Sequence, residues 1–160
     1  MKVLVWVAEA TWPACVDAVL DLFPAAGVTL LAALPGDLAA QAAGARTGLW
    51  GRGSGRDPGA RVTELAREST RAMLDAAVAR LGREAATVLR EGRVEREVTA
   101  AATEADVLVL ARDGDLSRLG PHSLDRHTRF VVDHAPCRVL LVWPGRAPGL
   151  ASIPPPPPER

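Results

Sequence analysis

Large apolar side chains fall along this chain in two rhythms. Short apolar runs, Val3-Leu4-Val5-Trp6-Val7, Val28 to Leu34 with only Thr29 polar, Val107-Leu108-Val109-Leu110 and Val139-Leu140-Leu141-Val142, have the length of strands covered on both faces. Between them the apolar positions recur at helical spacing. Val16, Val19, Leu20 and Phe23 follow Pro13 and are closed by Pro24 and Gly27, while Val62, Leu65, Ala66, Met73, Ala77, Val78 and Leu81 form a long amphipathic helix that Gly82 can end. A further helix is expected from about Leu124 to Asp133, and the last strand from Arg138 to Trp143. Strands alternating with helices predict an α/β fold, a three-layer α/β/α sandwich around a parallel sheet, whose first strand-helix-strand unit is right-handed.

Two stretches resist this pattern. Residues 83–96 can continue as helix, because Glu, Ala, Leu and Arg all favour it, or can hold a short strand near Ala86 to Arg90 with a turn at Glu91-Gly92. Pro35 to Gly59 carries seven glycines and two prolines, with only Leu38, Leu49 and Trp50 as large apolar groups. It is expected to be a long flexible loop, either a mobile lid that Trp50 could lay over the site or a partly disordered segment, with room for a short Ala-rich helical turn around Leu38 to Ala43. Within it, Gly51-Arg52-Gly53-Ser54-Gly55-Arg56 lacks both the preceding strand and the Gly-Lys-[Ser/Thr] ending of a phosphate loop.

Composition narrows the function classes. At 160 residues and 48% apolar content the chain suits one domain, taken as residues 1–146, followed by a proline-rich tail over 147–160. Nineteen basic and nineteen acidic side chains cancel, so no overall field favours nucleic acid or an anionic membrane. The longest apolar runs are strand-sized, and Met1 leads straight into a strand pattern, so a cytoplasmic location is expected. Cys15 and Cys137 stand outside metal-ligand spacing in apolar surroundings and read as buried reduced thiols, with a disulfide or redox pair as the alternative. No nucleophile with a partnered base and no metal constellation appears, so the reading is a non-enzyme with no catalytic residues and no metal. The run Pro154 to Pro158 can join neither helix nor sheet and should form an extended polyproline II tail, with recruitment of a protein partner as its alternative use.

The most informative segment runs from Asp106 to Val142. There an apolar strand leads into Ala111-Arg112-Asp113-Gly114, and an amphipathic segment ends in His134-Ala135-Pro136-Cys137 before the last strand. In this it resembles the universal stress protein (UspA-like) family. The resemblance spans roughly residues 2 to 143 and is strongest in the C-terminal third. It implies a Rossmann-like fold of the adenine nucleotide alpha hydrolase type with a five-stranded parallel sheet in the order 3-2-1-4-5. It also favours the strand near Ala86 to Arg90, followed by a helix from Arg93 to about Glu104, and dimerisation through the last strand by Val139, Leu140, Leu141 and Val142.

The resemblance also implies where a nucleotide would sit. The family's motif after the fourth strand is G-x2-G-x9-G-[S/T], and it is degraded here. Ala8 stands where the first strand normally ends in an Asp, Ala111 replaces the first glycine, and Gly114 matches the second. The Gly-Ser pair falls on Asp125-Arg126 or, counted forward, on Leu124-Asp125, and Thr128 matches the later hydroxyl. A carboxylate at Asp125 takes the amides of a helix N-terminus that would otherwise face phosphate. Arg112, Arg118, Arg126 and Arg129, with His122 and His127, supply the opposing case, since guanidinium groups bind phosphate bidentately. The candidate site is therefore Ala8, Ala111, Arg112, Gly114, Arg126, His127 and Thr128. No cofactor is expected; ATP or AMP held by the arginine-rich loop, in a nucleotide switch or slow ATPase, is the alternative. His134 is expected to cap its helix, with Pro136 preventing continuation.

Overall fold

Alternation along each apolar run divides the core into two layers. In the computed structural model, which describes residues 1–44 and 58–157, the first strand β1 (Lys2–Trp6) sits at the centre of the sheet. Val3, Val5 and Val7 project to one side and pack with Cys15, Val16, Val19, Leu74 and Ala77. Leu4 and Trp6 project to the other and pack with Val98, Leu108, Leu110 and Val131. Successive strand side chains point to opposite faces, so a run covered on both sides must be apolar at every position.

The remaining elements follow in order: α1 (Trp12–Leu22), β2 (Gly27–Pro35), α2 (Leu38–Gly44), α3 (Pro58–Leu81), β3 (Ala86–Gly92), α4 (Val94–Ala101), β4 (Val107–Ala111), α5 (Arg126–His134) and β5 (Arg138–Val142). All four strand pairings are parallel, and the sheet order is β3-β2-β1-β4-β5, as the resemblance implied. Register brings Val3 opposite both Val28 and Val107, and Val109 opposite Leu140. One helical layer, α1 and α3, covers the first face and the other, α4 and α5, covers the second. Leu108 has no exposed surface, so Leu108→Ala would remove about 3 kcal/mol through lost transfer energy and the cavity left behind.

Local signals explain most boundaries. Pro13 lies in the first turn of α1, where its missing N–H costs nothing. Gly82 follows α3 with φ +66°, a backbone that other L-residues resist, and its N–H donates to the Val78 carbonyl. The Arg83 guanidinium then bonds the Phe23 and Ala26 carbonyls at 2.8 and 2.5 Å, tying the end of α1 to the entry of β3. At β3 the strand reading is the correct one of the two. This strand lies at the sheet edge with mostly exposed positions, and Glu91 pairs with Arg67 while Arg90 lies 3.7 Å from Glu97. Charge on an edge strand hides its apolar period and discourages pairing with other chains.

Between β2 and α3 the short Ala-rich helix is present as α2, and α3 begins at Pro58, four residues before Val62. Trp50 and the segment Gly51 to Arg56 lie outside the described residues. The helix after β3 is α4 plus a 3-10 turn, Ala102–Glu104. Cys15 is fully buried, and burial pushes its thiol up to about 12; Cys137 is half-buried rather than buried, because it lies just before the edge strand β5. His134 caps α5 as expected, its Nδ1 donating to the Phe130 carbonyl at 2.8 Å while its ring stacks on Phe130.

Candidate functional site

In a sheet of this order the crevice for a ligand opens beyond the C-terminal ends of β1 and β4, where the connections leave in opposite directions. The end of β1 is occupied by its own turn. The Ala8 carbonyl accepts from the amides of Thr11 and Trp12 at 3.3 and 3.0 Å, which starts α1.

The loop after β4 folds back on the segment before α5. Asp113 and Gly114 both donate from their amides to the Ser123 carbonyl, at 3.2 and 2.9 Å, and the Asp115 amide donates to the His122 carbonyl at 2.8 Å. A Cβ on Gly114 would stand 2.4 Å from the His122 carbonyl oxygen and 2.9 Å from the Ser123 carbonyl carbon. Gly114 is therefore required by close approach of the loop to its own chain.

The donors that could face an anion are taken by carboxylates of the same loop. Asp113 Oδ1 accepts from the Asp125 amide at 3.0 Å, and Asp113 Oδ2 accepts from the Thr128 hydroxyl at 2.6 Å. Asp125 is the N-cap of α5, accepting from the Thr128 amide at 2.8 Å. Thr128 is buried, so both its groups are satisfied within the protein. This arrangement stabilises the helix start by roughly 1 kcal/mol per cap, and it sets negative charge where a phosphate would need to sit.

Most of the loop's cations are also committed. Arg112 donates to the buried Ser123 hydroxyl and stacks its guanidinium 4.7 Å from the Trp143 ring centre, with its Nε buried and without a partner among the described residues. Arg118 binds Asp115 at 2.8 Å, and Arg129 donates to the Pro121 carbonyl. The Ser117 hydroxyl, followed by Arg118, holds the Asp115 carboxyl down to about 2. Asp125 caps the helix, while Ser123 joins Arg112 to the Gly120 carbonyl.

Arg126 and His127 face elsewhere. With Arg93, Glu95 and Phe130 they line a pocket of about 760 Å³ beside the C-terminal ends of β2 and β3, floored by Pro35, Gly36 and Gly92. Its central pair is Glu95 and His127. Glu95 is only 7% exposed, and its carboxylate meets His127 Nδ1 at 2.9 Å and an Arg93 nitrogen at 3.3 Å. Arg126 Nε donates to His127 Nε2 at 3.2 Å, so the network assigns the proton to Nδ1. The Glu95 carboxyl is held below the usual glutamate range, chiefly by its own backbone amide and then, against burial, by His127. The candidate residues thus divide: Ala8, Ala111, Arg112, Gly114 and Thr128 build the switch point, and Arg126 and His127 build the neighbouring pocket. Glu95 carried no signal in the sequence, since it reaches His127 across 32 positions. Among the described residues no cluster of His, Cys, Asp or Glu could hold a metal ion, and no helix is long and apolar enough to cross a membrane.

No family model and no curated protein matches the sequence. Solved structures do match. The hypothetical protein MJ0577 superposes with a TM-score of 0.67 at 15% identity, over 89% of this chain and 94% of its own. The universal stress protein UspA from Lactobacillus plantarum gives 0.57 at 22% identity, over 89% and 97%. A universal stress protein solved in complex with cAMP gives 0.55 at 19% identity, over 91% and 98%. The fold is that of the universal stress proteins, on a sheet of the Rossmann-like order.

Proposed function

We propose that this chain is a regulatory module of the universal stress protein type, without enzymatic activity, that does not take ATP in the manner usual for that family. The observation that carries this reading is the Asp113 carboxylate on the Asp125 amide and the Thr128 hydroxyl. A triphosphate would have to displace an anion that is already hydrogen-bonded and covalently tethered, and would approach Asp125 as well. Titration calorimetry with ATP and AMP, with and without magnesium, tests it. No saturable binding is expected; micromolar affinity would overturn it.

A second reading places a nucleotide in the neighbouring pocket. It is supported by Arg126, His127 and Arg93 on the pocket wall and by the cAMP complex of a structural neighbour. Its signature would be micromolar binding that is lost in Arg126→Ala. The module is further proposed to act as a homodimer through β5, whose Val139, Leu140, Leu141 and Val142 are only half-buried on one edge of the sheet. Sedimentation equilibrium should give a dimer, and a monomer at high protein concentration would remove this part of the reading.

A further inference from the structure

After β5 the chain doubles back onto the loop between β4 and α5 and touches it at two places. Directly after the strand, the Arg112 guanidinium lies over the Trp143 ring at 4.7 Å. Further on, a single 3-10 turn, Leu150–Ser152, brings the Ser152 hydroxyl to the loop. The Leu119 amide donates to that hydroxyl oxygen at 3.0 Å, and the hydroxyl donates to the Gly149 carbonyl at 2.6 Å. Between the two places the segment is loosely packed: a Cβ added at Gly145 or Gly149 would meet nothing within 4 Å. Its large apolar side chain does not pack inward either, Leu150 being 78% exposed. A segment with so few buried contacts opens at low cost and independently of the core.

What this segment grips is the hinge of the loop. Leu119 precedes Gly120, whose φ of +124° and ψ of −172° belong to a region open essentially to glycine. The Gly120 carbonyl accepts from the Ser123 amide at 3.1 Å and from the Ser123 hydroxyl at 2.6 Å, which sets the 3-10 turn Pro121–Ser123. The His122 and Ser123 carbonyls of that turn in their turn receive the Asp113, Gly114 and Asp115 amides. A hydrogen bond at Leu119 therefore fixes the backbone one residue before the bend on which closure of the whole loop depends.

We propose that the segment from Pro144 to Ser152 is an intramolecular latch that keeps the β4–α5 loop shut, and that it is released by breaking the Ser152 hydroxyl contact. This rests on the closed switch point proposed above. With the latch open, Gly120 is free to turn and the Ser123 and His122 carbonyls are no longer held against Gly114 and Asp115. The Asp113 carboxylate then loses the frame that keeps it on the Asp125 amide and the Thr128 hydroxyl. The open form is a minor state of the full chain, and the one hydroxyl contact sets its population.

Native-state amide exchange on the full chain, followed residue by residue by NMR, tests the latch. In Ser152→Ala the Leu119, Gly114 and Asp115 amides should all exchange ~5-fold faster or more, while the Leu30 and Val109 amides of the central strands keep the parent rates. Ser152→Thr keeps the hydroxyl and should restore the parent rates in the loop. Acceleration at Leu119 alone would reduce the contact to a local hydrogen bond and overturn the latch. So would equal acceleration in the central strands, or a Ser152→Thr variant as fast as Ser152→Ala. Titration of ATP into the parent separates the two claims: saturable binding there removes the closed switch point and leaves the exchange pattern in place.

Discussion

Two regions share the C-terminal edge of one sheet and use it in opposite ways. At the switch point between β1 and β4, the loop after β4 closes on itself: Gly114 packs against the chain at Ser123, and Asp113 and Asp125 occupy the amides and the hydroxyl that open α5. Beside it, beyond β2 and β3, the edge opens into a pocket of about 760 Å³ whose polar wall is Glu95, His127, Arg126 and Arg93. The same short helix α5 serves both. Its first-turn donors turn inward to carboxylates, while Arg126 and His127 turn outward to the pocket. A single missing glycine would be a weak argument about ligand binding, whereas a tethered carboxylate on the same donors competes directly with any incoming anion.

The largest expected effect lies on the closed side. Gly114→Ala forces a methyl group to within 2.4 Å of a backbone oxygen and should cost about 3 kcal/mol by chemical denaturation. A variant as stable as the parent would show that the loop is not packed as described. Asp125→Ala removes the cap of α5 and should cost about 1 kcal/mol; the same melts check it.

On the open side the expected effects are smaller and depend on pH. The Glu95 carboxyl is held low in the folded protein, so its contribution to stability is present above the ordinary glutamate range and fades as pH falls through the lowered folded value. Glu95→Gln should therefore flatten the acid limb of the stability curve and leave its neutral part nearly parallel to the parent. An unchanged acid limb would remove the Glu95–His127 pair from the account. Arg126 is exposed, and Arg126→Ala should change stability by no more than about 0.5 kcal/mol. A larger loss would mean that Arg126 supports the fold rather than the pocket.

The layers were legible in the chain and the contacts between loops were not. Val3 to Val7 and Val107 to Leu110 announce central parallel strands because burial on both faces is a local requirement written at every position. The strand β3 stayed ambiguous because an edge tolerates Arg90 and Glu91. At the site, the degraded motif could be read residue by residue, yet Asp113 gave no sign that it would bond across to Asp125 and Thr128, 12 and 15 positions away. Arg112 looked like a phosphate ligand by its residue type. Its partners, Ser123 and the Trp143 ring, follow only from how the chain folds back.

Calorimetric titration of ATP into the parent chain and into the double variant Asp113→Ala, Asp125→Ser tests the closed switch point most directly. No saturable heat is expected from the parent, and binding is expected in the double variant, where the amide of residue 125 and the Thr128 hydroxyl are released from the carboxylates. Micromolar binding by the parent, undiminished in the double variant and abolished in Arg126→Ala, would contradict it.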